Sequence, residues 1–217
     1  MNYKNSLDEK ERLMLKSSRV CIVGCGGLGG YIAELLIRLG VGKIIAVDGD
    51  RFDESNLNRQ LLCTHDTVGK SKAVAVAERA ALINPELEVA AVTEFLDADN
   101  AVEILKDCDL VLDALDSIEA RRTLHEACKT LGISMVFGAI GPWHIQYGVV
   151  LPESKLFSNI VSSPEYHGET MLSFVPASCA SLQVSEAVKL LTGNKSELMG
   201  KVCDIDLMTN EQIIFEI

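Results

Sequence analysis

Five glycines, between Gly24 and Gly30, follow a short apolar run near the start of the chain. Gly24, Gly26 and Gly29 fit the spacing GxGxxG, and Gly27 extends it to GxGGxG. Glycines at this spacing, between a strand and a helix, make a tight turn and let a phosphate approach the backbone N–H groups closely. Alone, the pattern fits NAD, FAD and other nucleotides equally, and also a purely structural turn. Asp48 and Asp50 come next, with Asp48 roughly twenty residues beyond the turn, where a carboxylate can accept from ribose hydroxyls. The competing assignment for Asp48 is a turn or cap aspartate, and Asp50 is the weaker candidate of the two.

A third group narrows the chemistry. Ser55-Asn56-Leu57-Asn58-Arg59-Gln60 is followed closely by Gly69-Lys70-Ser71-Lys72-Ala73. Two cations, Arg59 and Lys72, a short loop away from a phosphate-binding turn suit a triphosphate, whose charge they neutralise as pyrophosphate leaves. Hydride transfer at a nicotinamide has no use for them. A fourth group, Leu110-Val111-Leu112-Asp113-Ala114-Leu115-Asp116-Ser117, carries an apolar run into two aspartates. Asp116 is placed to hold Mg²⁺ against nucleotide phosphates, since magnesium accepts one or two carboxylates and keeps phosphate and water. It could instead cap the helix that starts near Ile118, a role Ser117 can also fill.

The elements that must position these groups follow from periodicity. Val20–Val23 reads as a buried strand. A helix follows, with Ile32, Leu35, Leu36 and Leu39 on one face and Gly40 and Gly42 as stop signals, and then a strand over 43–48. Alternation continues with a helix over 71–82 ended by Asn84-Pro85, a strand over 87–92, a short helix over 98–105 and a strand over 110–113. A helix over 120–131 and a strand over 134–137 complete it. Such alternation predicts parallel strands joined by right-handed crossovers. After Gly141 the pattern changes to a strand over 143–151, a polar loop over 152–176, a helix over 180–191, and a closing hairpin of 202–207 with 211–217. The fold class is therefore α/β: a Rossmann-like, mostly parallel sheet with helices on both faces and an antiparallel C-terminal extension. With no repeat and no break in composition, residues 1–217 are expected to form a single domain.

Composition restricts the partners. Of 217 residues, 24% are charged, and the net charge of -11 repels nucleic acid and anionic membranes, so neither is an expected partner. The first apolar run is too short for a membrane span, and residues 1–16 are polar, so the reading is cytoplasmic. Seven cysteines are scattered without CxxC spacing, which favours buried free thiols over disulfides or a thiolate zinc site.

Taken together, Gly24 to Gly29, Asp48, Ser55 to Gln60, Gly69 with Lys72, and Asp116 resemble, in order and spacing, the ThiF/MoeB/HesA family, relatives of the ubiquitin-activating enzymes. Ile83-Asn84-Pro85 and the segment 180–193 resemble family segments too, so the likeness covers nearly the whole chain. The resemblance implies ATP and Mg²⁺ as cofactors, with Gly27, Asp48, Ser55, Asn56, Leu57, Asn58, Arg59, Lys72, Asp116 and Ser117 binding the nucleotide. Arg59 and Lys72 would act on the phosphates, Asp48 on the ribose and Asp116 on magnesium. It implies adenylation of the C-terminal glycine carboxylate of a ubiquitin-like sulfur-carrier protein ending in Gly-Gly, by a homodimer. Alternatives are a non-catalytic dimerising partner subunit, ATP-dependent activation of a small molecule or tRNA base, and a nicotinamide oxidoreductase.

Two departures from the family pattern stand out. Segment 141–176 contains no cysteine, so neither the structural zinc of many members nor their loop cysteine for sulfur chemistry is expected; Cys179 is the nearest thiol. Members often open with an Arg-Tyr-x-Arg stretch that lends an arginine to the partner subunit's site. Here Asn2-Tyr3-Lys4-Asn5 is a partial echo, with Lys4 or Arg12 as substitutes.

Overall fold

The computed structural model describes residues 5–154 and 171–217. Helix α1 (Glu9–Ser17) opens on a capping box, with Asp8 accepting from the Glu11 N–H and the Glu11 side chain reaching back. Then follow β1 (Arg19–Val23), α2 (Gly27–Leu39), β2 (Lys43–Val47), a single 3₁₀ turn (Glu54–Asn56), α3 (Lys72–Ile83), β3 (Glu88–Val92), α4 (Ala101–Leu105) and β4 (Leu110–Asp113). The chain continues through α5 (Ile118–Leu131), β5 (Met135–Ile140), β6 (His144–Val150), α6 (Phe174–Leu191), β7 (Lys201–Asp206) and β8 (Glu211–Glu216).

Among the described residues the strands form one sheet in the order β3-β2-β1-β4-β5-β6-β7-β8. The first five are parallel and the last three antiparallel. This is the Rossmann-like architecture with an antiparallel extension that the alternation predicts. Each face is covered by its own apolar cluster. One contains Ile22, Leu36, Leu112 and Val184, and joins α2, α3 and α6 to the sheet. The other contains Cys21, Val111, Leu124 and Phe137, and joins α4 and α5. Adjacent residues of β1 and β4 thus enter opposite cores, so these strands are apolar throughout rather than alternating.

The order of strands fixes where a ligand can sit. From β1 the chain moves outward to β2 and β3, whereas β4 returns to the other side of β1 and leads to β5. The reversal lies between β1 and β4, and open α/β sheets bind ligands outside the carboxyl ends of the strands at such a point.

Three boundaries differ most from expectation. Helix α6 begins at Phe174, not near Ala180; Pro176 sits in its first turn, where its missing N–H would have had no intrahelical partner. Of the loop expected over 152–176, residues 155–170 lie outside the described residues. Strand β5 runs on to Ile140, because β6 pairs with its whole length from Met135↔Val150 to Ile140↔Ile145. Helix α4 starts at Ala101, since the Asp97 carboxylate accepts from the Asp99 and Asn100 N–H groups and holds them in a turn. Among the described residues no helix is long and apolar enough to cross a membrane.

Candidate functional site

The loops after β1, β2 and β4 converge at the reversal point. Gly24 N–H donates to Val47 O at 2.8 Å and Ala114 N–H to Val23 O at 2.9 Å, which laces the ends of all three strands together. Gly24 has φ of +90°, and a Cβ there would lie 2.5 Å from Ala114 O; a Cβ on Gly29 would lie 1.8 Å from Gly24 O. Only glycine fits these two places, so the turn folds tightly against the β4 loop. Gly26 caps α2 without a side-chain hydrogen bond, so no side chain covers the first N–H groups of that helix. Gly27 lies beside Pro176 at the start of α6, and Gln60 lies against Gly26.

Asp48 is the hinge of the site. Its Oδ2 accepts from Cys25 N–H at 2.7 Å and its Oδ1 from Asp50 N–H at 2.8 Å. The turn role is thus met: the carboxylate holds the glycine loop while remaining half-buried at the carboxyl end of β2. Burial pushes its pKa up, against the pull of those two N–H donors and of the Lys72 ammonium. Cys25, packed beneath with Sγ 3.8 Å from Val47 O, is raised well above an ordinary thiol, chiefly by burial and then by Asp48.

Lys72 reaches the site because residues 50–52 and 69–72 run alongside each other. Phe52 N–H donates to Lys70 O, Gly69 N–H to Phe52 O, and Lys72 N–H to Asp50 O at 3.0 Å. Lys72 begins α3, with Ser71 as its cap. Its side chain is buried, and its Nζ pairs with Asp50 Oδ2 at 3.0 Å, while Asp50 itself is exposed. Lys72 also acts electrostatically on Asp48 and Cys25.

The segment 55–60 divides between local and site roles. Asn56 is buried and closes the 3₁₀ turn, its Oδ1 accepting from Asp53 N–H and its Nδ2 donating to Ser55 Oγ, both at 3.3 Å. Asp53 accepts from Ser55, which draws its pKa down. Arg59 Nη1 donates to Ser55 O at 2.9 Å and to Asn58 Oδ1 at 2.8 Å, which holds the guanidinium along the exposed side of the turn. Both Arg59 and Lys72 act on Asp53 and Cys63, so the two cations flank one loop. Leu57 is exposed.

After β4 the two aspartates separate. Asp113 turns inward and is fully buried; Asp116 is exposed. Ser117 takes the cap of α5, accepting from Ala120 N–H at 3.2 Å, which leaves the Asp116 carboxylate for other work. Among the described residues no three His, Cys, Asp or Glu side chains group to hold a metal by themselves. An exposed carboxylate on the loop that packs against the glycine turn has the chemistry to take Mg²⁺ nevertheless, since that ion draws most of its ligands from phosphate and water.

Residues that sequence reasoning passed over support this loop from below. Arg121, buried on α5, donates to Leu115 O and to Gly138 O (2.7 Å), stands 3.6 Å from Asp113 Oδ2, and lies over the Phe137 ring. Burial raises the Asp113 pKa and Arg121 opposes it. Gln183 on α6 donates to Asp113 O at 2.8 Å and Val136 O at 3.3 Å, tying the helix to the end of β4 and to β5. The only signal in the sequence is a charge or amide on the inner face of an amphipathic helix, which periodicity alone ranks as an exception.

Of the remaining sequence candidates, Arg12 bonds back to Leu7 O within its own helix start, and Lys4 lies outside the described residues. Cys179 is fully buried against Ala139 O and Gln146 O, and burial raises its pKa strongly. All seven cysteines are free and buried.

Fold and site together define a Rossmann-like α/β protein with a tight glycine turn, two cations flanking a nearby loop and exposed carboxylates at one sheet edge. The ThiF family model matches residues 2–217, and the chain belongs to the ThiF family. It is 32% identical over 201 residues to the SAMP-activating enzyme E1 of Haloferax volcanii, covering 89% of this chain and 74% of that protein. It is 33% identical over 206 residues to the sulfur carrier protein ThiS adenylyltransferase of Bacillus subtilis, covering 91% of this chain and 61% of that one. The fold also matches a solved structure of E. coli MccB, with a TM-score of 0.85 at 19% identity, over 95% of this chain and 66% of that chain. Relatives of this chain thus include an activating enzyme and an adenylyltransferase of a sulfur-carrier protein, and the chain spans between three fifths and three quarters of the three matched proteins.

Proposed function

We propose that this protein is an ATP-dependent adenylyltransferase that activates the C-terminal glycine carboxylate of a ubiquitin-like sulfur-carrier protein, releasing pyrophosphate. The observation that carries the reading is the convergence of the glycine turn, Asp48 and the Asp50-held Lys72 at the β1/β4 reversal. The uncapped start of α2 and the turn's N–H groups bind phosphate oxygens. Asp48 accepts from the ribose hydroxyls, and Lys72 and Arg59 neutralise charge on the departing pyrophosphate. Asp116 would hold Mg²⁺, which when bound spreads the charge of the phosphates. The carrier's carboxylate attacks the α-phosphorus in line as the bond to the β-phosphate oxygen breaks, leaving an acyl-adenylate. No general base is required, because the nucleophile is already ionised at neutral pH. No enzyme thiol enters this step, in keeping with the burial of Cys179.

The reading includes a homodimer in the cytoplasm, two-fold association being the commonest arrangement among oligomers. ATP–pyrophosphate exchange, measured with and without purified carrier proteins ending in Gly-Gly, tests it. Carrier-dependent exchange is the expected result. Exchange that no carrier stimulates, but a small carboxylic acid does, would replace the substrate class. ATP binding without exchange on any of these substrates would favour a non-catalytic partner subunit.

A further inference from the structure

Phe95 stands out among the apolar side chains. It is 66% exposed, yet it lies at the carboxyl edge of the sheet in a tightly fixed loop just beyond β3. Its neighbour Leu96 is buried in the core with Leu105 and Val111, so the chain at 95 is anchored on one side and open on the other. Phe95 O accepts from Asn100 Nδ2 at 2.9 Å, and Asn100 Oδ1 accepts from Asp97 N–H at 2.9 Å. Asp97 Oδ1 closes the loop on the Asp99 and Asn100 N–H groups. Leu96, Asp97, Asp99 and Asn100 thus hold the backbone that presents the ring.

The ring rests on Gly49. A Cβ at that position would lie 2.7 Å from Phe95 Cδ2, 2.8 Å from Cγ and 2.8 Å from the Phe95 backbone N, so any side chain there would dislodge it. Gly49 directly follows Asp48, and Asp48 N–H donates to Val92 O at 3.0 Å, locking the ends of β2 and β3 side by side. The aromatic face therefore stands one residue from the carboxylate read as the ribose acceptor. In a nucleotide the base is joined to that same ribose, on the side away from the phosphates. With the phosphates at the start of α2, the base extends outward over β2 and β3.

We propose that Phe95 is the base-binding residue of the nucleotide site, a flat apolar wall on which a purine stacks. The inference rests on the nucleotide reading above and adds a residue to it. Stacking uses the ring's face and no hydrogen bond, so it favours large bases over small ones.

ATP binding to the full chain is measured by calorimetry for wild type, Phe95→Ala and Phe95→Tyr, with CTP and inorganic triphosphate as further ligands. Loss of one base–aromatic stack is expected to weaken ATP by about 10- to 100-fold in Phe95→Ala. Phe95→Tyr keeps the ring and should stay near wild type. CTP should weaken less than ATP, and inorganic triphosphate, which has no base, should bind all three proteins equally. Gly49→Ala, with a wild-type melting temperature as control, should reproduce the Phe95→Ala pattern. Wild type that binds ATP together with Phe95→Ala that binds it equally well would overturn the stacking assignment and leave the nucleotide reading standing. So would parallel losses of ATP and inorganic triphosphate. Failure of wild type to bind ATP at all would bring down the nucleotide reading itself.

Discussion

Lys72→Met separates the catalytic from the structural use of this cation. Methionine keeps the length of the buried stem and removes the charge, so the packing at the start of α3 is preserved. The lost partner is Asp50 Oδ2 at 3.0 Å, and the Asp50 side chain is 54% exposed. An ion pair with one solvated member contributes ~0–1 kcal/mol, so the melting temperature should move by only a few degrees. The effect on phosphate chemistry is larger. A preorganised charge aimed at the transition state is worth about 3 kcal/mol, or on the order of a hundredfold in rate. Removing Lys72 also leaves the Asp50 carboxylate unneutralised beside the incoming triphosphate, which adds repulsion.

The expected outcome is a loss of carrier-dependent pyrophosphate exchange of at least about a hundredfold. Part of it should return when Asp50→Asn is added, because the second change removes the uncompensated anion. The double-mutant cycle reads that coupling, and thermal melts of all four proteins control for folding. If Lys72→Met exchanged pyrophosphate within about threefold of wild type, Lys72 would be no more than the counterion of Asp50. A rate lost in step with the melting temperature would equally refute the reasoning.

Asp116→Asn should abolish exchange with no change in the melt, because Asp116 is exposed and Ser117 supplies the helix cap; near-normal exchange at low magnesium would remove it from the site. Cys179→Ser should exchange pyrophosphate at close to the wild-type rate, and Cys179 should resist alkylation in the folded protein, since burial keeps it a thiol. Asp48 is held above the ordinary carboxylate range by burial, so it protonates earlier than an exposed aspartate as pH falls. ATP affinity should therefore drop on acidification through that raised value. Stability from this group moves the other way, because the folded state takes up the proton that the unfolded chain still releases. Asp48→Asn should flatten the pH profile of ATP binding over the same interval.

The parts of this molecule legible in its sequence are those set by neighbours along the chain. The β1–turn–α2–β2 unit could be read because glycine spacing, the apolar stripe of Ile32, Leu35 and Leu36, and Gly40 all agree within about thirty residues. The two roles offered for the 116–117 pair divided as they did because Ser117 alone accepts from Ala120 N–H. What stayed hidden depends on contacts across the sheet. Arg121 looks like any arginine on an amphipathic helix until β5 brings Gly138 O within 2.7 Å of it. Gln183 meets the β4 loop from 70 residues away. Phe95 and Gly49 touch only because β2 and β3 are adjacent. Asn56, carried over with the binding residues, also closes the 3₁₀ turn, a local role that a motif does not reveal.

The acidity of the chain acquires a meaning at the site. A protein of net charge -11 attracts no polyanion through its overall field, so any triphosphate must be recognised by short-range groups. Here the buried cation is already paired with Asp50, and the half-buried Asp48 is already satisfied by two backbone N–H groups. On the proposed reading, phosphate exchanges with a carboxylate at Lys72 in place of meeting a bare cation. An exchange of one anion for another gains less than filling an unpaired site, and it returns Asp50 to water, where a carboxylate is well solvated. On that reading affinity is kept moderate while the ammonium stays oriented. That is the better arrangement for catalysis, since binding strength spent on the ground state does nothing for the rate of the step that follows.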